Sequence, residues 1–303
     1  QVVAIEPHPL AHPSQAVSPC IQIQTDQEGE KLTLDPLQAP DAAAIRERAM
    51  AAGIVGLGGA GFPSHRKWIN GLHTLLINAA ECEPYLTADD TLMRQDPHGV
   101  IRGASALATA LGINQIVIGI EDNKPNALSA LQSAIEDVHA SHDFEIVVVP
   151  TQYPSGGERQ LIWLTLAIEV TSQQHPVDHG ILVHNPGTLA ALAQSVDGDP
   201  ITDRIITVTG NGVATPQNLI VPIGTPVSVL LHHAGLDGSQ NWQLTIGGPM
   251  MGFPLHSTDA PVVKTTNCIL VRPPVQQPIE PCIRCGACAE VCPVQLQPQR
   301  LFQ

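Results

Sequence analysis

Four cysteines near the end of the chain stand at Cys282, Cys285, Cys288 and Cys292, and Pro293 follows the last of them. Thiolates at the spacing Cys-x-x-Cys-x-x-Cys-x-x-x-Cys-Pro wrap a cubane iron–sulfur cluster, and Gly286 permits the tight turn between them. Zinc prefers paired Cys-x-x-Cys hooks held apart, and free thiols need no such spacing. The segment therefore reads as a 4Fe-4S site, a group that passes one electron at a time.

A second constellation runs from Gly53 to Arg94. Gly53, Gly56, Gly58, Gly59 and Gly61 leave a backbone with little Cβ shielding, so its N–H groups can approach a phosphate or a planar ring. His65-Arg66-Lys67 supplies positive charge where a phosphate would sit. An apolar run, Thr74-Leu75-Leu76-Ile77, comes next, then Asn78-Ala79-Ala80-Glu81-Cys82-Glu83-Pro84 and Thr87-Ala88-Asp89-Asp90-Thr91-Leu92-Met93-Arg94. A glycine-rich loop by itself is as readily a flexible surface turn. The strand and the acidic Asn-x-x-Glu-x-Glu segment behind this one favour a cofactor loop. It is neither the dinucleotide fingerprint nor a P-loop. A one-electron cluster joined to a nucleotide-type site calls for a cofactor that accepts two electrons and releases them singly, which is what flavin does.

The elements that must position these groups alternate. Asp41 caps a helix over Ala42–Ala52 that Gly53 ends. Strands are expected at Thr74–Ala79, Gln115–Ile120, Glu145–Pro150 and Ile181–His184, with helices at about 99–111, 125–140, 157–168 and 188–195. That rhythm predicts a largely parallel sheet covered by helices on both faces, with ligands outside the carboxyl ends of its strands. Gly56–Lys67, Asn78–Glu83, Tyr153–Glu158 and Asn185–Thr188 all lie beside strand ends and could converge on one crevice. Between Arg204 and Pro254 the pattern changes to strands at Ile205–Thr209, Leu219–Val221 and Gln243–Ile246 with a helix at Val227–His233, a small separate α+β domain. Gly247-Gly248-Pro249-Met250-Met251-Gly252 reads as a structural turn. Pro273-Pro274 to Pro278 and Pro281 form a stiff tether. Val2–Ile5 reads as the last strand of an element whose start is missing, Cys20 as a buried core thiol, Cys82 and Cys268 as packed thiols, and His232-His233 as a surface pair.

The 303 residues, 43% of them hydrophobic, suffice for two or more domains with a proper core. Twenty-eight acidic residues against 14 basic ones give a net charge of -14, which opposes binding to nucleic acid or anionic lipid. No apolar run approaches the roughly 18 residues of a membrane span, so direct insertion is not expected. The chain begins at Gln1 without a signal peptide and reads as a fragment entered in mid-domain. Crowding of four of the seven cysteines into the tail fits metal binding in a reducing, cytoplasmic compartment.

At these residues a resemblance enters. Gly58-Gly59-Ala60-Gly61-Phe62-Pro63-Ser64 with Lys67-Trp68, the Asn78–Pro84 segment, and Tyr153-Pro154-Ser155-Gly156-Gly157-Glu158 resemble the FMN and NADH site of the flavoprotein subunit of respiratory complex I. Tyr85-Leu86-Thr87-Ala88-Asp89-Asp90, Gly119-Ile120-Glu121-Asp122-Asn123-Lys124-Pro125 and the Gly247–Gly252 stretch resemble the RnfC family, the peripheral electron-entry subunits of membrane-bound Rnf complexes. The resemblance runs through nearly the whole chain and departs from the complex I subunit at Gly157 and His184.

The resemblance implies that Gly56, Gly58, Gly59 and Phe62 pass along the flavin and that Lys67 neutralises a phosphate or steers the nicotinamide nucleotide. Asn78, Glu81 and Glu83 would edge the ring, Tyr153, Gly156, Gly157 and Glu158 would close the nucleotide pocket, and Asn185 and Thr188 would hold the FMN phosphate at a helix start. Glu83 and Glu158 stand as the candidate catalytic carboxylates. It further implies 1–40 as the end of a lipoyl-like sandwich plus linker, 41–203 as the FMN/NADH-binding domain, 204–254 as a β-grasp module of the SLBB type, 255–281 as a linker and 282–303 as a partial ferredoxin-type segment. The expected function is NADH-linked electron entry: hydride exchange between NAD(H) and FMN, then single electrons to 4Fe-4S clusters, in a complex that translocates ions. Partners would be the membrane subunits, NAD(H) and ferredoxin, on the cytoplasmic face of the inner membrane. The alternatives are a soluble corrin reductase of the same family and a non-catalytic electron-wire subunit. Chains of this kind would continue into a second cysteine motif, leaving Cys292 to serve the other cluster, unless it folds back onto the first.

Overall fold

The computed structural model describes residues 1–14, 16–25, 29, 31–138, 142–274, 280–294 and 296–301. Parts of the expected linker at 26–28 and 30, the last two positions of the helix expected over 125–140, the middle of the proline tether at 275–279, and positions 295, 302 and 303 of the tail lie outside them. The chain forms two bodies, Gln1–Pro273 and Pro274–Gln303.

The first body opens with an antiparallel ribbon of β1 (Val2–Pro9) and β2 (Val17–Ile23), in which Ile5 stands opposite Ile21. Cys20 is half-buried rather than a core thiol, since a two-stranded ribbon lacks a second layer to cover it. Helix α1 (Ala42–Ala51) starts where Asp41 accepts the amides of Ala43 and Ala44 at 3.0 and 2.8 Å.

The central sheet follows. In order, the chain makes β3 (Thr74–Ala79), α2 (Ala88–Gln95), α3 (Pro97–Leu111), β4 (Gln115–Glu121), α4 (Pro125–Val138), β5 (Asp143–Val149), α5 (Glu158–Leu166), β6 (Ile181–His184) and α6 (Pro186–Asp197). The strands lie parallel in the order β5-β4-β3-β6. Successive strand residues point to opposite faces. Leu75, Ile77, Ile116 and Ile118 enter one core with residues of α1, α3, α4 and α6, while Leu76, Val117 and Val183 enter another with Leu161 and Ile162 of α5. Burial on both faces explains why these strands are near-continuous apolar runs. Helices α3 and α6 cross so closely that a side chain on Gly103 would strike the carbonyl of Leu189.

A mixed sheet completes this body: β7 (Asp203–Gly210), β8 (Gln217–Pro222), helix α7 (Val227–His233), β9 (Gln243–Ile246), β10 (Phe253–Leu255) and β11 (Cys268–Arg272), in the order β10-β9-β11-β7-β8. Only the β7–β11 pairing is parallel. Ile206, Val208, Leu230, Leu231, Ile269 and Val271 form its core. The stretch 255–281, expected to be a linker, thus contributes the strand between β9 and β7. Its short Cys-Ile-Leu-Val run carries no period, and its pairings are distant in sequence. Helix α2 is not among the expected elements: its N-terminal amides are capped by Glu81, outside the segment, and Thr87 makes no side-chain cap.

In the second body, Gly286 at φ 81° opens the short helix α8 (Ala287–Glu290), and α9 (Pro298–Leu301) follows. Among the described residues no helix is long and apolar enough to cross a membrane.

Candidate functional site

The segments singled out in the sequence gather just past the carboxyl ends of β3, β5 and β6. The glycine loop closes on itself, with the Gly56 amide donating to Phe62 O at 2.8 Å and the Gly61 amide to Gly56 O at 3.1 Å. Gly59 and Gly61 hold φ of 115° and 63°, a region that side chains strain to adopt. The Leu57 amide donates to Thr188 Oγ1 at 3.0 Å. Asn185 caps α6 by accepting the Gly187 amide at 2.8 Å, and a Cβ on Gly58 would sit 3.4 Å from Asn185 Cβ. The exposed stretch Gly58–Ala60 therefore runs beside the N-terminus of α6, where amides and the helix dipole favour an anion.

The rim is built from two further groups. Lys67 pairs with Glu158 at 2.9 Å and lies 5.8 Å from the ring centroid of the exposed Phe62. Asn78 donates to Gly156 O at 2.8 Å, and the Gly156 amide donates to Cys82 Sγ at 3.3 Å, which joins the end of β3 to the 153–157 turn. A side chain on Gly156 would collide with the carbonyl of Ala80. Gly157 precedes α5 as its cap residue. Burial, helped by the charge of Glu83, pushes the Tyr153 phenol up from its ordinary range. Ser64 Oγ and His65 Nδ1 are buried side-chain atoms without a hydrogen-bond partner among the described residues.

Two carboxylates that the resemblance would set at the flavin edge, Glu81 and Glu83, accept from backbone amides. Glu81 accepts from Asp89 and Asp90 at 2.8 and 3.1 Å and so caps α2. Burial pushes its carboxyl up to about 8, and the nearby Asp89 adds to this against the pull of the two amides. Asp89, itself raised by burial, accepts from Asn185 Nδ2 at 2.5 Å. Glu83 accepts from the amides of Met250 and Met251 at 2.6 and 2.9 Å. It fits there because Gly248 has no side chain to occupy the same space. The Gly247–Gly252 stretch, expected as a structural turn, is thereby brought to the site, with Met250 and Met251 exposed.

Sequence reasoning names His184 only as a departure from the complex I pattern, and it passes over Arg204 and Lys264. His184 is buried at the end of β6 and accepts a hydrogen bond from Trp68 Nε1 at 2.8 Å. Burial, with Lys67 nearby, holds its imidazole down at about 3, so it is neutral and carries its proton on Nδ1. Arg204 and Lys264 reach the glycine loop from the mixed-sheet side. Their signal was absent from the sequence, since each is a lone cation far from the loop.

In the second body, Cys282, Cys285 and Cys288 are exposed and Cys292 is half-buried. Cys288 donates to Gln299 Oε1 at 3.3 Å, and the Leu296 amide donates to Cys292 Sγ at 3.4 Å. Among the described residues no three metal-ligating side chains converge. The donor set itself, four thiols at ferredoxin spacing, suits iron–sulfur chemistry. The side-chain-free backbone of Gly58 and Gly59 beside a helix start suits a flat, phosphate-bearing ring.

Residues 49–194 match the Nuo51 FMN-binding domain family, and 205–254 match the SLBB domain. The fold is also that of a chain of an NAD+-reducing NiFe-hydrogenase in its H2-reduced state, with a TM-score of 0.66 at 24% identity over 77% of this chain and 47% of that one. Fold and site together define an α/β protein with a Nuo51-type FMN-binding domain followed by an SLBB domain. The RnfC-type protein of the ion-translocating oxidoreductase complex in Erwinia tasmaniensis is 44% identical over 99% of this chain, and its counterpart in Yersinia pestis is 43% identical over the same share. The chain is a homologue of these RnfC-type proteins. It spans 38% of the Erwinia protein's length and 50% of the Yersinia protein's.

Proposed function

We propose that this chain is the flavin-bearing part of an electron-entry subunit in an ion-translocating oxidoreductase complex, taking electrons from NAD(H) and passing them singly to iron–sulfur clusters. The observation that carries this reading is the exposed Gly58–Ala60 backbone pinned by Leu57 and Thr188 to the first turn of α6. FMN bound there would supply hydride exchange with NAD(H) and one-electron exchange with 4Fe-4S clusters.

The chain's own residues supply the setting. Gly56, Gly58 and Gly59 give the ring a surface without side chains, and Asn185 and Thr188 fix the helix start that would receive the phosphate. Lys67 offers a cation at the rim, held in place by Glu158 and free to exchange that partner for a nucleotide phosphate. Phe62 and Tyr153 border the opening, while Asn78 and the amides of Gly156 and Gly157 shape its far wall. Glu81 and Glu83 act indirectly, the first by starting α2 and the second by holding the Met250–Met251 loop at the site. Cys282, Cys285, Cys288 and Cys292 would ligate the cluster iron. Membrane subunits, ferredoxin and a place on the cytoplasmic face belong to the same proposal.

Gly59→Val tests it. A valine at φ 115° strains the loop and fills the space above it. The variant should keep the parent's circular dichroism and lose stoichiometric FMN; a folded variant that still holds one FMN per chain would refute the assignment.

A further inference from the structure

We propose that Arg204 and Lys264 are positioning residues for the glycine loop: two cations from the mixed-sheet side hold the carbonyls at its base and set its path. This rests on the reading of that loop as the flavin site. Arg204, buried on β7, donates from Nη2 to Leu57 O at 3.3 Å and from Nη1 to the carbonyl of Lys264. Lys264 in turn donates from Nζ to Gly53 O at 2.6 Å. The segment after Lys264 lies against the loop, since a Cβ on Gly61 would come within 2.6 Å of Thr265 Cγ2 and one on Gly59 within 3.9 Å of Asn267.

These contacts do more than join two sheets. Leu57 is held at both of its backbone polar atoms, its amide by Thr188 and its carbonyl by Arg204. Gly58, Gly59 and Ala60 follow as the exposed part, so the direction in which they leave Leu57 is fixed from both sides. Burying a guanidinium costs free energy that hydrogen bonds to carbonyls and the charge of Asp89 offset. Burial holds Arg204 down at about 10, with Asp89 acting in the opposite sense. Removal of either cation leaves a loop carbonyl without its donor while the apolar cores on both sides stay intact.

The test uses Arg204→Met, Lys264→Met and Lys264→Arg in the full chain, with hydrogen–deuterium exchange of amides 53–61 measured without flavin and FMN affinity measured separately. Loss of a charge-assisted hydrogen bond should speed loop exchange and weaken FMN by about tenfold or more. Amides of β3 and β4 should keep their parental rates, and Lys264→Arg should restore the loop's protection. Parental loop exchange in the folded Met variants, or acceleration spread equally over β3, β4 and β7, would overturn the proposal. Should Arg204→Met fail to fold, the half-buried Lys264 decides alone. Faster loop exchange in a chain whose parent binds no FMN would support the positioning role and sink the flavin reading instead.

Discussion

The backbone N–H of Leu57 donates to Thr188 Oγ1 at 3.0 Å, a bond that ties the glycine loop to the first turn of α6. Thr188 is buried, so the isosteric Thr188→Val leaves a buried amide unpaired at a cost of about 1–3 kcal/mol. Its FMN affinity should fall while Thr188→Ser stays close to the parent. Fluorescence titration with FMN checks this, and parental affinity in the valine variant would dissociate the bond from cofactor binding.

Lys67 and Glu158 form a partly exposed pair, with side chains 31% and 41% accessible. Such pairs contribute about 0–1 kcal/mol to stability, so Lys67→Ala should melt near the parent. Its affinity for a phosphate-bearing ligand should nevertheless drop about tenfold or more, the loss of one charge-assisted contact. Isothermal titration with FMN and NADH measures this; unaltered affinity for both would remove Lys67 from the site.

Two buried groups give stability a predicted pH profile. His184, held at about 3 against an ordinary 6.5, contributes stability that is present above 6.5 and lost as pH falls toward 3. Glu81, raised from 4.5 to about 8, contributes stability that is present below 4.5 and lost as pH rises through 8. Within its window each group changes stability by at most about 1.4 kcal/mol per pH unit, and between 4.5 and 6.5 the two oppose each other. Urea unfolding across this range should show Glu81→Gln flattening the alkaline limb and His184→Asn the acid limb. Profiles that match the parent would mean that neither group titrates as its burial requires.

Much of the fold was legible because buried parallel strands announce themselves: Thr74–Ala79 and Ile181–His184 have the bounds expected of them, and so does the antiparallel, half-buried Gln243–Ile246. Asp41 likewise marked the start of α1. Helix α2 lacked such a mark because its cap comes from Glu81, outside the segment, and Thr87 caps nothing with its side chain. The density of glycine made the loop readable, whereas the work of Glu83 was not, since its amide partners lie 167 and 168 residues away. Arg204 and Lys264 were hidden for the same reason. A carboxylate or cation in isolation carries no trace of the distant backbone group it will meet.

The most direct test of electron entry at this site is a visible spectrum of the FMN-reconstituted chain, recorded anaerobically before and after NADH is added. The account predicts that the flavin band bleaches on addition of NADH and returns with an oxidant. A chain that binds FMN stoichiometrically yet keeps its full flavin band in excess NADH would contradict it.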